Sequence, residues 1–178
     1  RPDDEELLFT IYASTREDEM RLVPWTEDEK RAFLRQQFEA QRTHYQRYLP
    51  ETEYLVIERG GQPIGRLYLD RRDDEMRIVD IALLTEHRGR GIGNAILTDL
   101  IDEASGSGVP VRIHVERNNP ALGLYRRLGF REIGDEGVYL HMERVTAEVA
   151  KSEGVAGRGA RIHTTERVQH AGRMGEDR

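Results

Sequence analysis

Two arginines and three glycines alternate along residues 88–93, which read Arg88, Gly89, Arg90, Gly91, Ile92 and Gly93. An apolar, strand-like run precedes this turn and an amphipathic, helix-like run follows it. Because glycine lacks a Cβ atom, backbone N–H groups here can approach an anion, and the start of a helix adds partial positive charge. The arginines add donors that suit phosphate oxygens. The turn predicts a cradle for a phosphate or pyrophosphate group, although such glycines can also simply join a strand to a helix.

Two common nucleotide-binding motifs fit this turn poorly. A dinucleotide-binding fold requires Gly-x-Gly-x-x-Gly early in its first βαβ unit, whereas here Asn94 replaces the third glycine and more than eighty residues precede the turn. A nucleotide P-loop requires Gly-Lys-Ser/Thr after its glycines, and the sequence contains no such triplet. Neither class is predicted.

A second patterned segment lies at residues 118–130. Its marked positions are Asn118, Ala121, Leu124, Tyr125, Gly129 and Phe130. Together with the glycine-rich turn, the segment resembles the GCN5-related N-acetyltransferase (GNAT) family. The pyrophosphate turn of that family, Arg/Gln-x-x-Gly-x-Gly/Ala, falls on Arg88, Gly91 and Gly93. The resemblance covers residues 54–143.

The resemblance implies an α/β fold of the GNAT type, with a mixed, mostly antiparallel central sheet, flanking helices and one parallel strand pair that splays apart. Apolar periodicity predicts helices at residues 3–13, 26–48, 91–104 and 120–128, and strands at residues 54–58, 64–69, 76–84, 111–115, 130–133 and 138–143. The expected turns lie at residues 59–62, 70–75 and 134–137. Thr26 and Glu29 form a capping box at the start of the second helix. The strands at 76–84 and 111–115 are separated by a helix, so we expect them to be parallel.

Composition bounds the class of protein. Of 178 residues, 37% are hydrophobic and 34% charged, which is typical of a globular chain at the polar end of the range. The formal net charge of −6 argues against a nucleic-acid partner. The absence of cysteine excludes disulfides and a thiol nucleophile. Without an apolar run of membrane-spanning length or a leader-like start, we expect a cytoplasmic protein with no membrane partner.

The chain is expected to hold one GNAT domain at residues 1–144. Residues 1–50 are predicted to supply the acceptor-side helices, and residues 54–143 the acetyl-CoA-binding core. The tail at residues 145–178 is polar and poor in large apolar side chains. It is therefore expected to be disordered or only loosely docked.

The resemblance implies acetyl-CoA as the co-substrate, without a metal. In the family, the pantetheine arm enters between the splayed strands and pairs with backbone groups at the end of the first strand, here Ile81, Ala82, Leu83 and Leu84. The N–H of Leu83 is expected to polarise the thioester carbonyl. The other cofactor-binding positions carried over are Arg88, Gly89, Arg90, Gly91, Ile92, Gly93, Asn94, Asn118 and Tyr125.

The resemblance also implies roles for two side chains of the second segment. Tyr125 matches the general acid that protonates the departing sulfur, and the alternative is a tyrosine that only packs beside Leu124 and Leu128. Asn118 matches a position that hydrogen-bonds the cofactor arm, and the alternative is an N-cap next to Pro120.

Asp80 is the candidate general base, because it lies within an otherwise apolar strand, where an ionisable group needs a reason to be. Strand alternation places it on one face with Ile78 and Ala82, where burial would raise its pKa. The alternative is an ion pair with Arg77 or Arg112. His114 and Glu116 are second candidates, and water can relay the proton instead. Solvent-facing or structural positions are expected for His44, His87 and His141.

The resemblance implies an N-acetyltransferase, bacterial-like in type, that transfers an acetyl group from acetyl-CoA to a primary amine of a small molecule, peptide or protein by direct attack. The alternative is a catalytically silent acyl-CoA-binding sensor or regulatory module. The acidic first two helices weakly favour a cationic acceptor, although charged faces are more often simply solvated. A homodimer is compatible with the sequence.

Overall fold

The computed structural model describes residues 2–145, with side chains from residue 5 onward. Residues 146–178 of the predicted tail lie outside the described residues. The helices are α1 (Pro2–Ser14), α2 (Glu17–Arg21), α3 (Glu27–Tyr48), α4 (Ile92–Ser107) and α5 (Leu122–Arg127), with a 3-10 turn at Thr85–His87. The strands are β1 (Glu53–Arg59), β2 (Gln62–Arg71), β3 (Met76–Leu83), β4 (Val111–Glu116), β5 (Arg131–Glu136) and β6 (Tyr139–Arg144).

The six strands form one sheet in the order β1-β2-β3-β4-β6-β5. Every neighbouring pair is antiparallel except β3 and β4. In these two strands, residues Met76–Ile78 of β3 pair with residues Val111–Ile113 of β4. Both strands continue beyond that point without pairing with each other. The predicted α/β fold, mostly antiparallel with a parting parallel pair, is therefore confirmed.

Two hydrophobic clusters hold the layers together. The larger one packs α4 and α5 on one face of the sheet and includes the apolar stripe Ile92, Ile96, Leu97, Leu100, Ile101 and Ala104. The smaller one joins α1 to α3 through Phe9, Tyr12, Leu34 and Phe38. Since α1 also contacts β2 and β3, this helix pair covers the opposite face beside those strands. The sheet is thus sandwiched where β3 and β4 part.

The longest helix, α3, begins as its sequence predicts. The Thr26 side chain accepts a hydrogen bond from the Glu29 N–H, while the Glu29 carboxylate accepts one from the Thr26 N–H. This reciprocal box satisfies backbone donors that the first helical turn cannot. Across residues 2–145, none of the helices has the length and apolar character needed to cross a bilayer.

A bulge in β3 corrects the predicted strand alternation. Tyr68 pairs with Asp80 and Leu69 pairs with Ile78, so Val79 has no partner on β2. The extra residue shifts the alternation by one. Ile78 consequently packs in the cluster beneath α4, whereas Asp80 faces the side covered by α1 and α3. The predicted shared face of Ile78 and Asp80 is wrong.

Two predicted turns also move. The turn expected at 70–75 begins later, because Asp70 is buried in β2, pairs with Arg77 and accepts a hydrogen bond from the Arg72 side chain. The turn expected at 134–137 is a two-residue turn at 137–138, made possible by the positive φ of Gly137. The short helix α2 was not predicted.

Gly65 permits an unusually close approach between β2 and β3. A Cβ atom built on Gly65 would lie 2.4 Å from the Ala82 carbonyl oxygen and 2.8 Å from a Leu83 side-chain carbon. We expect Gly65→Ala to lower the free energy of unfolding by about 1–3 kcal/mol, because the strands must move apart. Denaturant unfolding measures the change.

Gly106→Ala is the matched control for that substitution. Gly106 lies in α4, and a Cβ atom there would meet nothing within 4 Å. The same added methyl group should leave the protein as stable or stabilise it by up to about 1 kcal/mol, because alanine favours a helix. Equal effects of the two substitutions would contradict the close approach.

Candidate functional site

The open edge of β3 lies where its pairing with β4 ends. The Leu84 N–H donates to the Ile64 carbonyl at 2.9 Å, so that amide points toward β2. Because the hydrogen-bonding direction alternates along a strand, the N–H and C=O groups of Ile81 and Leu83 point the other way, toward the gap. Those of Ala82 share the direction of Leu84. Of the four predicted backbone positions, two therefore direct their polar groups into the gap and two toward β2.

The glycine-rich turn joins β3 to the start of α4. Gly89 and Gly91 have φ values of 69° and 78°, a conformation that favours glycine. Cβ atoms added there would meet nothing within 4 Å, and Gly91 directly precedes the 16-residue helix α4 as its N-cap. Gly93 packs more closely, since a Cβ atom added to it would lie 3.8 Å from the Leu124 side chain. The turn thus presents exposed backbone and a helix N-terminus to open space, as an anion cradle requires.

Arg88 is anchored to two other elements. Its Nε donates to the Leu83 carbonyl at 2.8 Å, and an Nη donates to both the carbonyl and the hydroxyl of Ser14 at 3.0 Å. The side chain therefore ties the end of α1 to the end of β3. Arg90 and Asn94 are exposed at the turn, and Ile92 is buried beneath it. Of the two arginines, Arg88 is therefore held by neighbouring elements, whereas Arg90 is exposed.

Tyr125 lies on α5, in the hydrophobic cluster beneath the sheet. The side chain is almost fully buried and packs edge-on against Phe130, with ring centroids 5.6 Å apart. Burial raises the pKa of its hydroxyl well above 10.0, and the nearby charge of Asp80 raises it further. The phenol therefore keeps its proton throughout the neutral range.

Asp80 is held by an arginine that the sequence reasoning did not identify. Arg66 on β2 donates from Nη2 to Oδ2 of Asp80 at 2.6 Å. The expected alternative partners are wrong, since Arg77 contacts His114, and Arg112 pairs with Glu75 and Glu143. The bulge at Val79 explains the difference, because it turns Asp80 toward the face that carries Arg66. Burial raises the pKa of Asp80, while Arg66 and then Arg16 lower it.

Several phenols surround this ion pair. Tyr45 of α3 and Tyr68 of β2 both have raised pKa values, mainly because they are buried and partly because Asp80 is negative. The pKa of Tyr68 reaches about 12. Tyr12 of α1 adds a ring 5.8 Å from the Arg66 guanidinium carbon. These residues make a largely neutral, aromatic wall around one carboxylate.

The second base candidates lie on β4, on the same face as Asp80. Glu116 is 3.7 Å from Arg16, so its charge is partly offset. His114 stacks on His141 with ring centroids 4.2 Å apart, and burial, followed by His141 and Arg77, lowers its pKa. Among the remaining histidines, His44 is exposed on α3 and His87 lies in the 3-10 turn. Asp80 is the more enclosed of the two carboxylates, since its side chain is 16% exposed and that of Glu116 is 28% exposed.

The capping alternative for Asn118 is wrong by one residue. The Ala121 N–H donates to the side-chain oxygen of Asn119 at 2.8 Å, so Asn119 caps the turn before α5. Asn118 is exposed at the end of β4. This position leaves its side chain accessible to a ligand.

Arg66, Tyr12 and Tyr45 are the main site residues that sequence reasoning missed. Arg66 carried a usable signal, because it is a charged residue within the apolar strand β2, as Asp80 is within β3. The tyrosines carried none, since their positions on helical stripes are also typical of ordinary packing.

Comparison with known proteins bears on this arrangement. The acetyltransferase (GNAT) family model matches residues 12–130. N-alpha-acetyltransferase RimI of Mycobacterium tuberculosis is 32% identical over 89 residues, which are 48% of this chain and 56% of that protein. A Bacillus subtilis protein, provisionally named ribosomal protein bS18-alanine N-acetyltransferase, is 29% identical over 137 residues, 75% of this chain and 79% of that protein. The match thus spans little more than half of the first relative.

Solved structures share the fold. PaiA N-acetyltransferase from Thermoplasma acidophilum, in complex with coenzyme A, superposes with a TM-score of 0.60 at 18% identity, covering 81% of this chain and 93% of that one. An acetyltransferase from Thermus thermophilus gives 0.57 at 21% identity, covering 80% and 91%. At such identities the likeness concerns the fold alone.

Proposed function

The chain belongs to the GNAT acetyltransferase family, and from this premise we propose that it is an acetyl-CoA-dependent N-acetyltransferase acting on a primary amine. The observation that carries the proposal is the combination of an open β3 edge with a glycine turn at the start of α4. Together they line one groove, which runs from the gap between β3 and β4 to the glycine-rich turn. At the β3 end, backbone amides of the strand can pair with the extended, amide-containing pantetheine arm. At the other end, the backbone N–H groups of the glycine-rich turn can donate to a pyrophosphate.

The groove fits acetyl-CoA in the following way. The open space at Gly89 and Gly91 receives the pyrophosphate, and the exposed side chain of Arg90 supplies positive charge beside it. The pantetheine arm pairs with the Ile81 groups that face the gap, since the Leu83 carbonyl already accepts a hydrogen bond from Arg88. The N–H of Leu83 then stabilises the oxyanion that develops from the thioester carbonyl. The PaiA structure that shares this fold is a complex with coenzyme A, which supports the proposal that this chain also binds a coenzyme A thioester.

Transfer requires a base and an acid, which we assign to Asp80 and Tyr125. The acceptor enters as an ammonium ion and gives one proton to Asp80. The neutral amine forms the C–N bond with the carbonyl carbon, and the C–S bond breaks. The sulfur leaves as a thiolate and takes the Tyr125 proton. The second nitrogen proton restores the phenol through solvent, and Asp80 returns its proton to solvent.

We propose that the acceptor approaches between α1, α3 and the sheet face that carries Asp80. Residues 1–50 then form the acceptor side and residues 54–143 the acetyl-CoA side of one domain. The names of the two relatives favour an N-terminal amine of a protein, with alanine as the first residue to test. A small-molecule amine is the other class within the same chemistry.

Thiol release from acetyl-CoA tests the function. We expect a measurable turnover with at least one amine from a panel of alanine-starting peptides, other N-terminal peptides, lysine side chains and small amines. A reaction without an acceptor measures background hydrolysis, and mass spectrometry of the product must show one added acetyl group. Tight CoA binding without transfer to any member would instead support the acyl-CoA-binding sensor.

A further inference from the structure

Arg66 is buried at the centre of the site, yet the structure gives it few hydrogen bonds. Its side chain is only 3% exposed, and Nη2 donates to Oδ2 of Asp80 at 2.6 Å. Nε and Nη1 are shielded from solvent and have no hydrogen-bond partner among the described residues. Unused buried donors destabilise a fold. A cationic side chain retained under these conditions points to a role beyond stability.

Aromatic rings fix the orientation of this guanidinium. Its central carbon lies 5.8 Å from the ring centroid of Tyr12 on α1 and 5.2 Å from that of Tyr68 on β2. Attraction between the cation and these ring faces partly replaces the missing hydrogen bonds. Arg66 is thereby held between the helix layer and the sheet, with one donor directed at Asp80.

Arg66 contacts only one of the two oxygens of the Asp80 carboxylate. Oδ2 accepts the hydrogen bond from Arg66, and the Asp80 side chain as a whole is 16% exposed. We propose that Arg66 is a positioning residue, which pins Oδ2 and keeps Asp80 ionised so that Oδ1 receives the proton of the acceptor amine. This inference rests on the proposed function, in which Asp80 is the base.

The charges around Asp80 make Arg66 the decisive partner. Burial raises the pKa of Asp80, and Arg66 is the largest influence that lowers it, followed by Arg16 beyond α1. Arg16 is shared with Glu19 and Glu116. The charge of Asp80 also raises the pKa values of phenols from three elements, namely Tyr45 of α3, Tyr68 of β2 and Tyr125 of α5, which therefore stay neutral.

The sign of the effect follows from these charges. A base must be ionised, so activity falls as the pH drops through the pKa of Asp80. Removing the positive charge of Arg66 destabilises the carboxylate and raises that pKa further. The acidic limb of the rate profile must then move to higher pH, while the rate above the limb is largely kept.

The first test is the pH dependence of kcat/KM with a strongly basic acceptor amine, which remains an ammonium ion over the range studied, so that the acidic limb reports Asp80. We expect Arg66→Met and Arg66→Gln to shift the acidic limb upward by about one pH unit or more, a tenfold loss at a pH on the limb. Arg66→Lys, which keeps the charge, should shift it less. Arg77→Met is the matched control, because Arg77 lies on the same sheet face but contacts His114 instead.

The second test follows the carboxyl of Asp80 directly by carbon NMR, with Asp80→Asn to assign its signal. We expect its titration to move upward in Arg66→Met or Arg66→Gln, whichever variant folds, and not in Arg77→Met. This measurement requires no turnover. An unchanged titration would overturn the inference. A shifted titration with an unmoved kinetic limb would support the hold of Arg66 on Asp80 and contradict the proposed base.

Discussion

Gly91→Glu is expected to abolish acetyl-CoA binding, with a loss of about two orders of magnitude or more in affinity. Gly91 has a φ of 78° and immediately precedes α4, where an added Cβ atom projects into open space. That space is the proposed position of the pyrophosphate. A glutamate would fill it and place a negative charge against the anion, at the helix end that otherwise attracts it. Isothermal titration calorimetry with CoA measures the change.

Gly60→Glu is the control for the strain and charge of that substitution. Gly60 also has a positive φ, of 60°, and a Cβ atom there would meet nothing within 4 Å. It lies in the β1–β2 turn, away from α4. Both variants introduce the same side chain into a left-handed conformation, so both should lose similar stability. If Gly91→Glu binds CoA as the wild type does, the turn is not the cradle and the central step of the proposal fails.

Most of the fold could be predicted from local sequence patterns. The capping box of α3 and the apolar stripe of α4 depend on residues within a few positions of one another, and the β1–β2 turn depends on two adjacent glycines. Such signals survive without knowledge of the tertiary structure. The parallel pairing of β3 with β4 followed from the intervening helix, because a short connection cannot join parallel strands.

Contacts between strands could not be predicted from local sequence patterns. The bulge at Val79 appears only when β2 and β3 are set in register, and it changes the face on which Asp80 lies. For the same reason the ion-pair partner of Asp80 is Arg66, whereas the sequence predicted Arg77 or Arg112. An unbroken alternation was the natural assumption, since nothing in the residues 76–83 marks the extra position.

The candidate cradle was predictable for a different reason. Its function depends on missing side chains, and glycine is visible in a sequence. The backbone amides of Ile81 and Leu83 have no such signature, so their direction became known only from the Leu84 hydrogen bond to β2.

Tyr125→Phe is expected to lower kcat by about 10²- to 10⁴-fold, the usual range for loss of a positioned general acid. Only a hydroxyl is removed, and the ring keeps its packing against Phe130. Acetyl-CoA affinity should therefore stay within a few fold of the wild type. Steady-state kinetics with the best acceptor from the panel, together with calorimetry, separates the two effects.

The raised pKa of Tyr125 adds a pH signature to this substitution. An acid acts while it is protonated, so its contribution is lost only as the pH rises through its pKa, which burial places above the ordinary 10.0. Wild-type kcat should show no alkaline fall due to Tyr125 below about pH 10, and the deficit of Tyr125→Phe should be constant across the neutral range. A tyrosine that only packs predicts a small change in stability and nearly normal turnover. Activity of the variant within about threefold of wild type would therefore exclude Tyr125 as the acid.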